Sequence, residues 1–212
     1  MKPVYVAKTK TETQQKTDAK TETITKTELK HFICALKKGK NEKEELEFKD
    51  IDTITQNAFI NAIGVKEATF QGNLKTIKKE AFKNCEDLEV FCCGEKNNEA
   101  TSPITGIKIT NLGTENSEFI IETSAFTKCK NLHTVILPDC KKLVIEKDAF
   151  DGCSSLRTVV CFAEEIDFTE NPFESCPETL TFVGKREENK EENKTSELER
   201  FARENGYRFI DA

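Results

Sequence analysis

The residues with the most chemical potential in this 212-residue chain are nine cysteines, two histidines and an excess of carboxylates. Zinc would need about four convergent ligands, usually drawn from close sequence pairs. The chain contains no Cys-x-x-Cys, and the adjacent Cys92 and Cys93 would point to opposite faces of a strand. A nucleophilic triad or dyad needs a histidine beside its nucleophile, and only His31 and His133 exist. There is no His-Glu-x-x-His and no glycine-rich phosphate loop. Asn193-Lys-Thr195 matches a glycosylation sequon, a pattern short enough to arise by chance. The sequence therefore assigns no catalytic residue, no metal ligand and no cofactor, and the chain is read as non-enzymatic. An odd cysteine count means that at least one thiol stays free or pairs with another chain.

Composition narrows the classes further. Charged residues make up 33% of the chain and the net charge is −6, so nothing predicts attraction to nucleic acid or anionic lipid. The longest apolar runs, Thr134–Pro138 and Thr158–Ala163, are too short to span a bilayer. The start, Met1 to Ala7, lacks the apolar stretch of a signal peptide, so the protein is expected either to stay inside or to have lost a leader.

The element that must position any site is a repeat. Phe59, Phe82, Phe126, Phe150 and Phe173 are separated by 23, 44, 24 and 23 residues. With Phe as position zero, position −5 is Ile54, Ile77, Ile121, Ile145 and Phe168, and position −1 is Ala58, Ala81, Ala125, Ala149 and Pro172. Position +3 is Ala62, Cys85, Cys129, Cys153 and Cys176, and position +6 is Val65, Leu88, Leu132, Leu156 and Thr179. Position +9 is Ala68, Phe91, Val135, Val159 and Phe182. A unit of about 23 residues cannot bury its own apolar face, so stacked units must share one core. Leu132–Leu137 and Leu156–Cys161 read as short strands, and a second strand such as Leu143–Ile145 precedes each Phe. The doubled gap between Phe82 and Phe126 holds either a degenerate repeat or an insertion.

The pattern Ile-x-x-x-Ala-Phe-x-x-Cys-x-x-Leu-x-x-Val resembles the BspA-like leucine-rich repeat family, most closely at Ala149–Leu156, over roughly residues 50–184. The family's usual glycine after the Ile is replaced by glutamate at Glu122 and Glu146. The resemblance implies an α/β or mainly β leucine-rich-repeat solenoid of about five to six turns with short parallel strands, closed by a C-terminal helix and strand. Residues 1–28 are expected to be a disordered or extended tether, with an added edge strand as the alternative because threonines alternate from Thr21 to Thr27. Residues 29–50 are expected to cap the N-terminal end, with a short helix at Leu29–Leu36, and 51–184 to form the solenoid. Residues 185–212 supply a charged loop and the closing cap, in which Ser196-x-x-Glu199 is a capping box, Asn205-Gly206 a stop and Tyr207–Ile210 a final strand.

The columns also sort the cysteines. Cys85, Cys129, Cys153 and Cys176 stand at +3, where a small buried hydrophobe suits a tight corner, and Cys93 and Cys161 at +11 are expected in the core. Cys34 and Cys140 have no column. Strand alternation turns positions +8 and +10 outward, and Val90, Cys92, Thr134, Ile136, Thr158 and Val160 are the candidate ligand-binding stripe, unless residues 94–120 fold back over it. His133, Glu89 and Arg157 share the next column out and read as solvated surface. The expected function is a binding or adhesion module at the cell surface or secreted, monomeric and engaging a protein or extracellular-matrix ligand. An intracellular, cytoplasmic scaffold or adaptor is the alternative, favoured by the abundance of thiols.

Overall fold

A computed structural model describes residues 4–7, 45–49, 51–71, 74–95, 108–109, 117–185 and 196–212. The chain winds as a parallel solenoid with two sheets. The longer contains, in spatial order, β1 (Val4–Ala7), β2 (Glu45–Lys49), β4 (Glu67–Gln71), β6 (Val90–Glu95), β9 (Thr134–Ile136), β11 (Thr158–Val160), β13 (Thr181–Gly184) and β14 (Arg208–Asp211). The shorter runs β3 (Thr53–Ile54), β5 (Thr76–Ile77), β8 (Glu118–Ile121), β10 (Lys142–Ile145), β12 (Glu165–Phe168). Each turn passes from a short-sheet strand, through its Phe, to a long-sheet strand.

The Phe rings form the axis of the core. Centroids of Phe59, Phe82, Phe126, Phe150 and Phe173 follow one another at 4.7, 5.0, 5.0 and 4.9 Å, with planes within 7° of parallel. That spacing is close to the ~4.8 Å between hydrogen-bonded strands, so ring stacking and strand pairing demand the same rise per turn. Left-handed residues bracket most of the rings: Asn57, Glu80, Ser124 and Asp148 at −2, and Asn61, Asn84, Lys128 and Gly152 at +2. The backbone therefore bends sharply on both sides of each of these rings. The Phe N–H donates to the −1 carbonyl of the next turn, at Ala81, Ala125, Ala149 and Pro172. A proline at −1 is tolerated in the last turn because this contact asks only for its carbonyl.

The +3 thiols complete this arrangement. Each Phe carbonyl from Phe59 to Phe150 accepts the +3 N–H of its own turn and the +3 thiol of the next. Sulfur–oxygen distances are 3.0 Å for Cys85 to Phe59 and for Cys129 to Phe82, then 3.2 and 3.4 Å for Cys153 and Cys176. Phe173 has no following repeat cysteine, and the Tyr207 hydroxyl donates to its carbonyl instead, at 2.9 Å.

The doubled gap is an insertion. Phe82 stacks directly on Phe126, β5 pairs with β8 (Thr76↔Ile120), and β6 pairs with β9 (Val90↔Thr134). No turn lies between them. Within the intervening segment, β7 (Lys108–Ile109) pairs antiparallel with Gly94–Glu95 at the end of β6.

The glutamates that replace the family's glycine have a structural role. Glu122 accepts the Lys79 N–H at 2.9 Å and pairs with the Lys78 ammonium. Glu146 accepts the Thr123 N–H at 2.8 Å and its hydroxyl at 2.7 Å. Thr169 Oγ1 accepts the Lys147 N–H in the same column. The −4 side chain of one turn thus satisfies a backbone donor of the turn before it.

The ends depart in part from the sequence expectation. The solenoid begins one strand before residue 51, because Leu46 and Phe48 of β2 are buried and register with Ala68 and Phe70. Val4–Ala7, inside the segment read as a tether, is a strand parallel to β2 and covers its edge. The expectations for 8–28, for the helix at Leu29–Leu36 and for the charged run Lys185–Lys194 beyond its first residue fall outside the described residues. At the other end α1 (Glu197–Glu204) starts where the capping box places it, with Ser196 Oγ accepting the Glu199 N–H, and β14 follows Gly206 (φ 76°). The last turn slips by one residue: Leu180 rather than Thr179 fills the +6 core place, bonding back to Pro177. Gly184 lets α1 close the core, since a Cβ there would lie 2.7 Å from both the Cys161 carbonyl and Leu198.

Two substitutions separate these contributions. Tyr207→Phe removes the hydroxyl that donates to the Phe173 carbonyl at the capped end and should lower stability by about 1 kcal/mol, as should Glu146→Ala, whereas Glu178→Ala on the exposed surface should stay within about 0.5 kcal/mol. Urea denaturation of the three variants reads these differences directly.

Candidate binding face

The long-sheet strands follow the alternation expected of them. Positions +9 and +11 enter the Phe core, while Cys92, Ile136, Val160 and Val183 form a separate cluster on the other face. Exposure differs from the expectation. Cys92, Ile136 and Val160 have 0% accessible surface, so half of the candidate stripe is a floor rather than an open surface. Val90 and Phe162 pack against that cluster, and β7 brings the inserted segment back to the end of β6. The physical reason is that an aliphatic sheet face loses about 25 cal/mol for each Å² left in water, so covering it is favoured. Val90, Thr134 and Thr158 at +8 remain half-buried and can be reached from solvent.

The reachable part of the face begins one residue earlier. Glu89, His133 and Arg157 occupy the same position on consecutive turns, tied by backbone bonds from His133 N–H to the Glu89 carbonyl (2.9 Å) and from Arg157 N–H to the His133 carbonyl (3.0 Å). With Asn131, Thr134, Ser155 and Thr158 they line an open cavity of about 560 Å³. His133 Nδ1 lies 2.9 Å from Thr134 Oγ1. The column ends at Arg157, because the slip of the last turn puts the buried Leu180 where a further surface residue would stand. In the sequence these three residues share a column of solvated side chains; that they border one cavity follows from the direct stacking of β6 on β9, which the doubled gap hides.

The thiols are not arranged for reaction. Eight described cysteines are free, and all but the half-buried Cys176 are buried. Burial pushes Cys140 and Cys161 up to about 12, and raises Cys93, Cys129 and Cys176 as well. A thiolate is the reactive form, so these groups are inert at neutral pH. Cys34 lies outside the described residues. Among the described residues, no three His, Cys, Asp or Glu side chains converge as a metal site, and no helix is long and apolar enough to cross a membrane. A second cavity of about 560 Å³ separates β12 from α1, whose Glu197 carboxylate accepts the Ile166 N–H at 2.8 Å and so covers part of the strand edge.

Comparison with known proteins agrees with the geometry. A model of the BspA type leucine rich repeat region matches the chain in six copies, over residues 37–102 and 52–181. No protein of curated function and no solved structure matches the chain.

The buried thiols give a pH prediction. Folding holds Cys140 and Cys161 protonated, so their contribution to stability is intact below the ordinary thiol value of 9.0 and is lost as pH rises toward about 12. The melting temperature should therefore be flat in this respect up to about pH 9 and fall above it, less steeply in the Cys140→Ala/Cys161→Ala double variant. Thermal melts across that range, each variant referenced to its own value at pH 8, provide the comparison.

Proposed function

The chain belongs to the BspA-type leucine-rich repeat family, and from that premise we propose that it is a binding module that holds a protein ligand against the reachable part of its long sheet. One observation carries the reading: Val90, Thr134 and Thr158 stay accessible beside an open cavity while the apolar residues between them and the strand ends are buried. A rigid floor under a partly polar surface favours recognition, because the partner meets side chains that lose little freedom on binding. The +8 residues contact the ligand; Cys92, Ile136 and Val160 support them from below. The finer reading is adhesion, non-enzymatic, at a cell surface or after secretion, toward a host or extracellular-matrix protein, by a monomer. Repeat solenoids commonly use such faces for binding.

A second reading, an intracellular scaffold or adaptor, is favoured by one observation. Eight described cysteines are free, which suits a reducing compartment.

The two readings separate by experiment. Purified chain should adhere to immobilised extracellular-matrix proteins, and Thr134→Trp or Thr158→Trp should weaken adhesion by about tenfold or more, while Lys147→Trp, in the turn that follows the short-sheet strand β10, leaves it unchanged. Adhesion that is absent, or equally sensitive at Lys147, contradicts the surface reading. Protein purified from its native source without reductant should show at least eight free thiols after denaturation if the home is reducing. Several stable disulfides in that preparation would sink the adaptor.

A further inference from the structure

Lys66, Glu89, His133 and Arg157 occupy one position on four consecutive turns, and the three that line the cavity carry opposite charges at its two ends, Glu89 and Arg157. Each is one strand away from the next, so Glu89 and Arg157 stand two strand spacings apart, about 9.6 Å. Among the described residues, neither Glu89 nor Arg157 has an ion-pair partner, and Arg157 is exposed. His133 lies between them with Nδ1 turned to Thr134. The wall of the cavity thus carries an acidic end and a basic end that do not neutralise each other.

We infer that this cavity takes an extended, polyproline-like segment of a protein partner, carrying one acidic and one basic side chain three residues apart. The inference rests on the binding face proposed above and adds the chemistry of its occupant. Charge complementarity sets the pair: a carboxylate meets Arg157 and His133, and an ammonium or guanidinium group meets Glu89. The spacing sets the conformation. In a β-strand, side chains three residues apart point to opposite faces. In a polyproline helix they return to the same side after about 9.3 Å, close to the separation of the two charges. Such a segment has a solvated backbone and needs no free strand edge, which suits the middle of a sheet, where every strand is already paired on both sides. An α-helix needs about two turns, residues about seven apart, for the same span, so it does not match a pair of side chains three residues apart.

The test uses blocked proline-rich peptides and the full chain, with affinity measured by calorimetry. A peptide with glutamate and lysine three residues apart should bind about tenfold or more tightly than the same peptide with two glutamates, with two lysines, or with the pair two residues apart. That preference should shrink as salt screens the pairs. Glu89→Arg should turn the preference toward two glutamates, and Arg157→Glu toward two lysines; circular dichroism establishes that each variant is folded, and either inversion alone suffices. Undetectable binding of every peptide, equal binding of all of them, or an acid–base preference that survives both charge reversals would overturn the inference. Matrix adhesion that is lost in Thr134→Trp but indifferent to both reversals would leave the binding face standing and remove only this occupant.

Discussion

Every turn of this solenoid has to bring a phenylalanine ring to the same line, one strand spacing above the last. Burying one such ring contributes about 3 kcal/mol, and each parallel contact adds about 0.5–1.5 kcal/mol beyond burial. The thiol bonds to the Phe carbonyls are weaker, so the rings dictate the winding and the cysteines refine it. The small residues at −1, the left-handed residues flanking the rings and the strand register all follow from keeping that stack continuous. The same logic explains Tyr207. Once the repeats run out, the last Phe carbonyl still needs a second donor, and the closing cap supplies a hydroxyl.

How much of this was legible depended on whether a feature repeats. The columns at −5, −1, +3, +6, +9 and +11 made the repeating turn, its two strands and the inward placement of six of the nine cysteines readable, because a fault in any column would break the stack. The capping box at Ser196 and the stop at Gly206 do not repeat and were readable for another reason: their signals are local. Features made by contact between non-repeating segments were not readable. Whether the 44-residue gap held a turn depended on what Phe82 touches, which spacing alone leaves open. The burial of Cys92, Ile136 and Val160 depended on what lies over the sheet, and alternation reports only which face a residue is on. Glu122 and Glu146 looked like departures from a family pattern, and only the neighbouring turn's N–H groups give them a purpose.

On the proposed function, these two classes of feature divide the labour between stability and recognition. Repeating positions build a rod with little freedom, and the residues that vary from turn to turn at one surface position, Glu89, His133 and Arg157, carry what chemical identity the face has. The slip at Leu180 ends that column, and β7 returns the chain to the end of β6. The proposed binding face thus spans β6, β9 and β11, with the insertion leaving the sheet between the first two. No catalytic role is needed to account for any of these side chains.

The central claim is that Phe82 and Phe126, 44 residues apart, are direct neighbours in one stack. A double-mutant cycle measures this contact most directly, using Phe→Leu changes to keep the core filled and urea denaturation to read stability. Phe82→Leu with Phe126→Leu should show a coupling of about 0.5–1.5 kcal/mol, while Phe82→Leu with Phe150→Leu, one turn further apart, should be additive within about 0.5 kcal/mol. Additivity in the first pair would mean that another turn separates the rings and would contradict the account.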